Sequence, residues 1–255
     1  MSTPLRVTRD GGVVRLTLSR PPHNVLDRDL NRAIAAAVHQ HSRDPGVAAI
    51  VLDGAGAKGF SAGVEVADHV PERIAGMLED FHAAVRGLWR AECPTFAAIH
   101  GFALGGGLEL AISCDMVVAE AGAKLGFPEI RLGAYPPVAA TLLPGRIGWA
   151  AACELMLGGE ELSAERALAL GLLNRVAPAG GLEATLDALL RPILALSPAV
   201  VREAKLALRE GATPAPGTAL ARIEERYLDS LMQLDDAREG ITAFLEKRAP
   251  KFENR

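Results

Sequence analysis

Hydrophobic positions along the first half of the chain switch between two periods. Residues 5–8 and 13–18 (VVRLTL) alternate around Asp10-Gly11-Gly12, which predicts a β-hairpin. Arg20-Pro21-Pro22 stops the second strand. Asp27 then stands where a side-chain oxygen caps a helix running to about residue 42, with Leu30, Ile34, Ala37, Val38 and His41 on one face. The apolar run 48–52 predicts a buried strand, a glycine-rich loop follows from Gly54 to Gly63, and a helix is expected over 72–91. After Pro94 a strand is expected at 95–99, and after Gly105-Gly106-Gly107 a short buried helix at 108–112. A strand at 116–119 follows, and residues 124–127 form a further short segment.

The second half is mainly helical, with helices predicted over 138–147, 149–157, 163–170, 182–196, 198–210, 216–232 and 235–247, and a short strand at 172–176. Alternating strands and helices followed by helices alone indicate an α/β fold. Residues 1–195 form the expected core and 196–255 a helical region suited to assembly. There are no repeats, and only Gly211 to Gly217 (GATPAPG) is compositionally simple, a loop.

Composition narrows the function. The 255 residues, 49% hydrophobic and 23% charged, are ordinary for a globular enzyme, and a net charge of −4 offers no basic excess for a phosphate backbone. Nucleic acid is therefore not an expected partner. Cys93, Cys114 and Cys153 lie far apart, without zinc-ligand spacing or a disulfide framework, and are expected as small buried hydrophobes. No metal site is expected. No apolar stretch reaches the roughly 18 residues of a membrane span, and the N-terminus lacks a signal-peptide run, so a cytoplasmic location is expected.

Two glycine clusters invite chemical readings. Gly54-Ala-Gly56-Ala-Lys58-Gly59 has the spacing of a dinucleotide fingerprint, but Gly63 follows four residues on, where that fingerprint needs a helix. A loop is the better reading. Three consecutive glycines at 105–107, in front of an apolar helix, offer free N–H groups and a positive dipole end to an oxygen that gains charge. A tight turn packed on another backbone is the plainer alternative. Glu109, inside the apolar run Leu108 to Ile112, and Glu129, beside Pro128, each read singly as surface or salt-bridge residues.

Taken together, these stretches resemble a family. Phe60-Ser61-Ala62-Gly63-Val64, the segment from Gly101 through Gly105-Gly106-Gly107 to Glu109, and Leu125 to Gly133 with Pro128-Glu129 look like the three signatures of the crotonase (enoyl-CoA hydratase/isomerase) family, in order. Glu154 to Gly158 and Ser163 to Val176 resemble its later helical section, so the likeness spans the chain. The resemblance implies a crotonase-like spiral of ββα units with a C-terminal helical region that assembles trimers or hexamers. It also implies an acyl-CoA thioester substrate and no cofactor beyond the coenzyme A of that substrate.

By the same resemblance, the N–H groups of Val64 and Gly106 form an oxyanion hole, and Ala62, Gly63, Glu65 and Gly105 belong to the substrate site; His69, Tyr135 and Pro136 are further candidates to line the acyl pocket. Glu109 is the implied base that activates water, and Glu129 the acid that protonates the neighbouring carbon. Asn24 and Lys247 are implied contacts for CoA, with Phe244 and Phe252 near the latter. Gly133 to Pro144, with Tyr135, Pro136 and Pro137 where the family is usually rich in glycine, departs from the common pattern. Together with Glu65 to Pro71, which includes His69, and the stretches 227–232 and 243–248, it looks most like the subgroup that hydrates cyclohexa-1,5-diene-1-carbonyl-CoA in aromatic acid degradation. The alternatives are a general 2-enoyl-CoA hydratase of fatty-acid oxidation, an isomerase or dehalogenase on the same scaffold, and a non-catalytic binding protein.

Overall fold

A computed structural model describes residues 3–211 and 216–251. The hairpin forms as its alternation requires. Strand β1 (Leu5–Asp10) pairs antiparallel with β2 (Val13–Leu18), which buries Val14, Leu16 and Leu18. Helix α1 (Arg28–Ser42) starts at Asp27, whose Oδ1 accepts the Leu30 N–H at 2.8 Å. Its Leu30, Ile34 and Val38 are wholly buried, each stabilising the fold by about 2 kcal/mol. Strand β3 (Ala49–Gly54) and helix α2 (Ile74–Arg90) complete the first layer, α2 lying against α1.

Strands β4 (Thr95–Ile99), β5 (Phe102–Leu104), β6 (Met116–Glu120) and β7 (Lys124–Gly126) follow, with helix α3 (Gly106–Ile112) between β5 and β6. Helices α4 (Pro137–Ile147) and α5 (Trp149–Gly158) come next, then strand β8 (Glu161–Ser163), helix α6 (Ala164–Leu170) and strand β9 (Arg175–Ala177). The chain ends in α7 (Leu182–Leu194), α8 (Pro198–Gly211), α9 (Pro216–Asp229) and α10 (Asp235–Leu245).

Two sheets result. The larger has the order β1-β2-β3-β4-β6-β9 and is parallel from β2 onward; the smaller has the order β5-β7-β8. Buried on both faces, β3, β4 and β6 are apolar runs rather than alternating ones, as parallel strands are. The three-residue strands β5, β7 and β8 make the second sheet, and of these only the 124–127 segment is foreshadowed by the sequence. Three residues hold too few positions to display a period. Strand β9 lies later than the expected 172–176, and α3 begins at Gly106, so two of the three glycines are helical rather than turn residues.

The GxGxxG stretch is a loop, as expected, and its glycines serve packing. A Cβ on Gly59 would lie 2.6 Å from the Phe102 nitrogen, so this loop runs directly against β5. Among the described residues no single helix is long and apolar enough to cross a membrane. Residues 212–215 of the GATPAPG loop, and Phe252, lie outside the described residues.

Candidate active site

The site is built where the loop after β3 meets the start of α3. Phe60 is buried, and its N–H bonds the Phe102 carbonyl at 2.8 Å, while Leu104 N–H bonds Ser61 O at 3.0 Å. On its other side the loop is tied by Ala62 N–H to His23 O and by Leu26 N–H to Gly63 O, both at 2.9 Å. Ser61 Oγ, wholly buried, donates to Asn24 O at 2.8 Å and accepts the Gly63 N–H. Clamped on both sides, Val64 reaches Gly106: a Cβ on Gly106 would sit 3.0 Å from Val64 Cγ1 and 3.3 Å from its nitrogen. Gly106 opens α3, so its N–H is one of the helix's unpaired donors. No hydrogen bond from either N–H occurs among the described residues.

Gly105 has a φ of +52°, and a Cβ there would lie 2.5 Å from Glu129 Oε1. Glycine is required by both the backbone angle and the carboxyl group beside it. Glu109, three residues into α3, is 2% exposed and points toward the N-terminus of α4. There its Oε1 accepts the Ala139 N–H at 2.8 Å, with Val138 N–H as a second backbone donor. Pro136 and Pro137 open the helix expected from residue 138, Pro137 occupying the first helical position where a missing N–H costs nothing. Glu129 stands on a 3-10 turn, Pro128–Leu132, and its Oε2 is buried without a hydrogen-bond partner.

The carboxyls share one cavity of about 20 Å³, room for roughly one water. Its walls include Val64, His69, Tyr135, Pro136, Pro137 and Tyr227. Burial pushes Glu109 up to about 7, against the opposing pull of the two N–H groups of α4. Glu129 rises well above the usual carboxylate range, first by burial and then by the charge of Glu109. Burial also keeps His69 on the neutral side, its Nδ1 3.2 Å from Glu65 O. Such a pair can hold one ionised and one protonated carboxyl near neutrality, as base and acid toward the same small molecule. Among the described residues no three His, Cys, Asp or Glu side chains are grouped to hold a metal ion.

The structure brings Glu109, Glu129, Val64, His69, Tyr135 and Pro136 to this cavity, with Gly63, Gly105 and Gly106 immediately behind it. Others lie elsewhere or are occupied. Asn24 is fully buried; its amide donates to Ala55 O and Gly59 O, and its Oδ1 accepts Arg20 N–H. That side chain braces the loop and has no polar group turned outward for CoA. Glu65 caps the short turn Val66–Asp68 by accepting Ala67 N–H, and Lys247 stands just past the end of α10, away from the cavity. Sequence reasoning missed the lining side chains Met77, Leu78 and Phe81, which repeat as an ordinary buried helix face. It also missed Tyr227 as a wall residue.

Two buried carboxyls on one cavity, beside paired backbone donors, suit acid–base chemistry on a substrate that develops negative charge on oxygen. Residues 8–255 match the enoyl-CoA hydratase/isomerase family. The chain is 38% identical over 258 residues to cyclohexa-1,5-dienecarbonyl-CoA hydratase of Thauera aromatica, covering 100% of this chain and 98% of that protein. It is 36% identical over 252 residues to a probable enoyl-CoA hydratase of Mycobacterium bovis, covering 98% and 97%. An enoyl-CoA hydratase from Mycobacterium avium subsp. paratuberculosis superposes with a TM-score of 0.88 at 30% identity, over 98% of this chain and 99% of the other. The chain belongs to the enoyl-CoA hydratase/isomerase family, has the crotonase fold, and is an enzyme of the enoyl-CoA hydratase type.

Proposed function

We propose that the enzyme adds water across the double bond of an enoyl- or dienoyl-CoA thioester, with Glu109 as base and Glu129 as acid. The observation that carries this reading is the asymmetry of the pair. Glu109 rests on N–H groups of α4 that favour its charged form, while Glu129 Oε2 has no partner and its carboxyl, met only by its own backbone N–H, lies under the Glu109 charge. Glu109 takes a proton from water as its oxygen attacks the β-carbon. Electrons move onto the thioester oxygen, which the Val64 and Gly106 N–H groups stabilise by a few kcal/mol. Glu129 then delivers its proton to the α-carbon, and the thioester carbonyl re-forms.

For the acyl group, the better reading is cyclohexa-1,5-diene-1-carbonyl-CoA. It is supported by the likeness to the Thauera protein and by the aromatic wall, in which Tyr135 and Tyr227 meet edge to face at 5.0 Å. A general 2-enoyl-CoA hydratase is the second reading, favoured by the Mycobacterium bovis relative. Rates with the cyclic dienoyl-CoA and with crotonyl-CoA, followed by loss of the conjugated thioester absorbance, decide between them; a strong preference for crotonyl-CoA rejects the first. CoA contacts by Lys247 and assembly into trimers or hexamers belong to the same proposal. Trp149 and Leu157, 74% and 69% exposed on α5, support assembly by offering apolar surface to another copy. The three unpaired thiols suit a cytoplasmic location.

A further inference from the structure

Helix α9 reaches the cavity from the far end of the chain and is tied there within a single turn. His82, wholly buried on α2, faces Glu224 Oε1 with its Nδ1 at 2.5 Å, while its Nε2 is buried without a partner. The ring's one proton therefore lies on Nδ1, donated to the carboxylate. Arg86, one turn further along α2, places Nη1 3.3 Å from both Glu224 oxygens. Beside Glu224, the Ile223 carbonyl accepts the Tyr135 hydroxyl at 3.0 Å, and one turn on, Tyr227 lines the cavity with the two glutamates. The α2 stretch that carries His82 also supplies Met77, Leu78 and Phe81 to the cavity lining, and Tyr227 packs in one apolar cluster with Met77 and Leu78.

We propose that Glu224 is a positioning residue: its clamp on His82 and Arg86 ties α9 to α2 and holds Tyr227 beside Glu109 and Glu129. This rests on the hydratase reading for its effect on rate, but not for its effect on the carboxyls. The groups facing Glu224 are His82 and Arg86 of α2; those facing the pair are His69, Tyr135 and Tyr227. None of the three beside the pair supplies a fixed positive charge, and burial, joined at Glu129 by the Glu109 charge, keeps both carboxyls raised. Freeing α9 admits water, and both should then titrate at lower pH.

The test is Glu224→Ala, with Glu224→Gln retaining an acceptor for the His82 proton. The carboxyls are followed by NMR titration of protein carrying 13C-carboxyl glutamate, and kcat and KM are measured across pH. The alanine variant should move both titrations, and the bell-shaped kcat/KM profile, toward acid by about one unit, with kcat/KM down about tenfold. The glutamine variant should recover most of this. A lowered melting temperature with unmoved titrations overturns the proposal, as does a glutamine variant shifted as far as the alanine one. Should the alanine variant not fold, Glu224→Asp must still show a smaller acid shift, and an unshifted profile overturns it. A wild-type protein that hydrates no enoyl thioester, yet shows the titration shift in the variant, rejects the hydratase reading and leaves the clamp standing.

Discussion

Two buried acids on neighbouring elements are treated in opposite ways. Asp80, on α2 and almost buried, receives Arg28 Nε at 2.6 Å and Arg32 Nε at 2.9 Å. Burial alone pushes its carboxyl up, but the hydrogen bonds and charges of Arg32 and Arg28 hold it below the usual range. Glu109 is buried more deeply and receives no cation at all, only backbone N–H groups of α4. An arginine at the second place would fix the charge permanently and fill the cavity. Backbone donors hold the carboxylate in position while leaving its proton free to exchange near neutrality. The difference separates an acid that ties two helices together from a pair that can move a proton.

The comparison is broken most directly by removing the exchangeable protons. Glu109→Gln and Glu129→Gln should each lower kcat by about a thousandfold while circular dichroism and melting remain those of a folded protein. Asp80→Asn should leave kcat within about twofold, because Asp80 touches neither the cavity nor its donors. Steady-state rates of the three variants on one enoyl-CoA check this. A smaller effect follows from Gly105→Ala. The new methyl, placed 2.5 Å from Glu129 Oε1 on a backbone with positive φ, should displace the acid and reduce kcat/KM by about a hundredfold. Its partner measurement, a crystal structure of the variant, should find the Glu129 carboxyl moved away from Glu109.

Much of this arrangement is legible in sequence, and the part that is not has a common cause. Asp27 as a cap, the buried face of α1 and the apolar strands follow from local pattern, and the glycine triplet with Glu109 and Glu129 follows from motif. Whether those glutamates are surface residues cannot be read from pattern alone; each taken singly pointed the wrong way. What the sequence conceals is long-range and backbone-borne. Tyr227 stands about a hundred residues from either glutamate in the chain, and no local period announces that α9 closes the cavity. The donors to Glu109 are main-chain N–H groups, which any residue but proline supplies. Pro136-Pro137 carried that signal, since proline is favoured at the first turn of a helix, yet it reads equally as a stiff loop. The C-terminal region, expected for assembly, also walls the site.

The pH profile sharpens the comparison further. With Glu109 required as carboxylate and Glu129 as acid, kcat/KM should rise with pH through about 7 and fall again as the pair loses its second proton. Because the two titrate as a unit, Glu129→Gln should abolish the alkaline fall in whatever residual activity it keeps. A flat profile between pH 6 and 8, measured with saturating and limiting substrate, would remove Glu109 as the base.

Stability gives the smallest and most discriminating effect, because the two acids predict opposite signs. Glu109 has a folded-state pKa raised to about 7 from an ordinary 4.5, so the native state binds the proton more tightly than the unfolded chain. Its contribution is neutral below about 4.5 and becomes destabilising as pH rises toward and past 7, by about 3 kcal/mol at most. Glu109→Gln removes the charge and keeps an oxygen for the Ala139 N–H, so it should unfold at higher denaturant than wild type at pH 8, with the advantage gone at pH 4.5. Asp80 is held below its ordinary value, so its contribution is present above the unfolded pKa near 4 and lost as pH falls through the folded one. Asp80→Asn should therefore cost about 1 kcal/mol at pH 7 and progressively less in acid, the two arginines it frees being partly exposed. Urea midpoints of both variants at pH 4.5, 6 and 8 should cross in this sense. Glu109→Gln less stable than wild type at pH 8 would mean that the α4 donors compensate its burial fully, and that the cavity does not hold this carboxylate under strain.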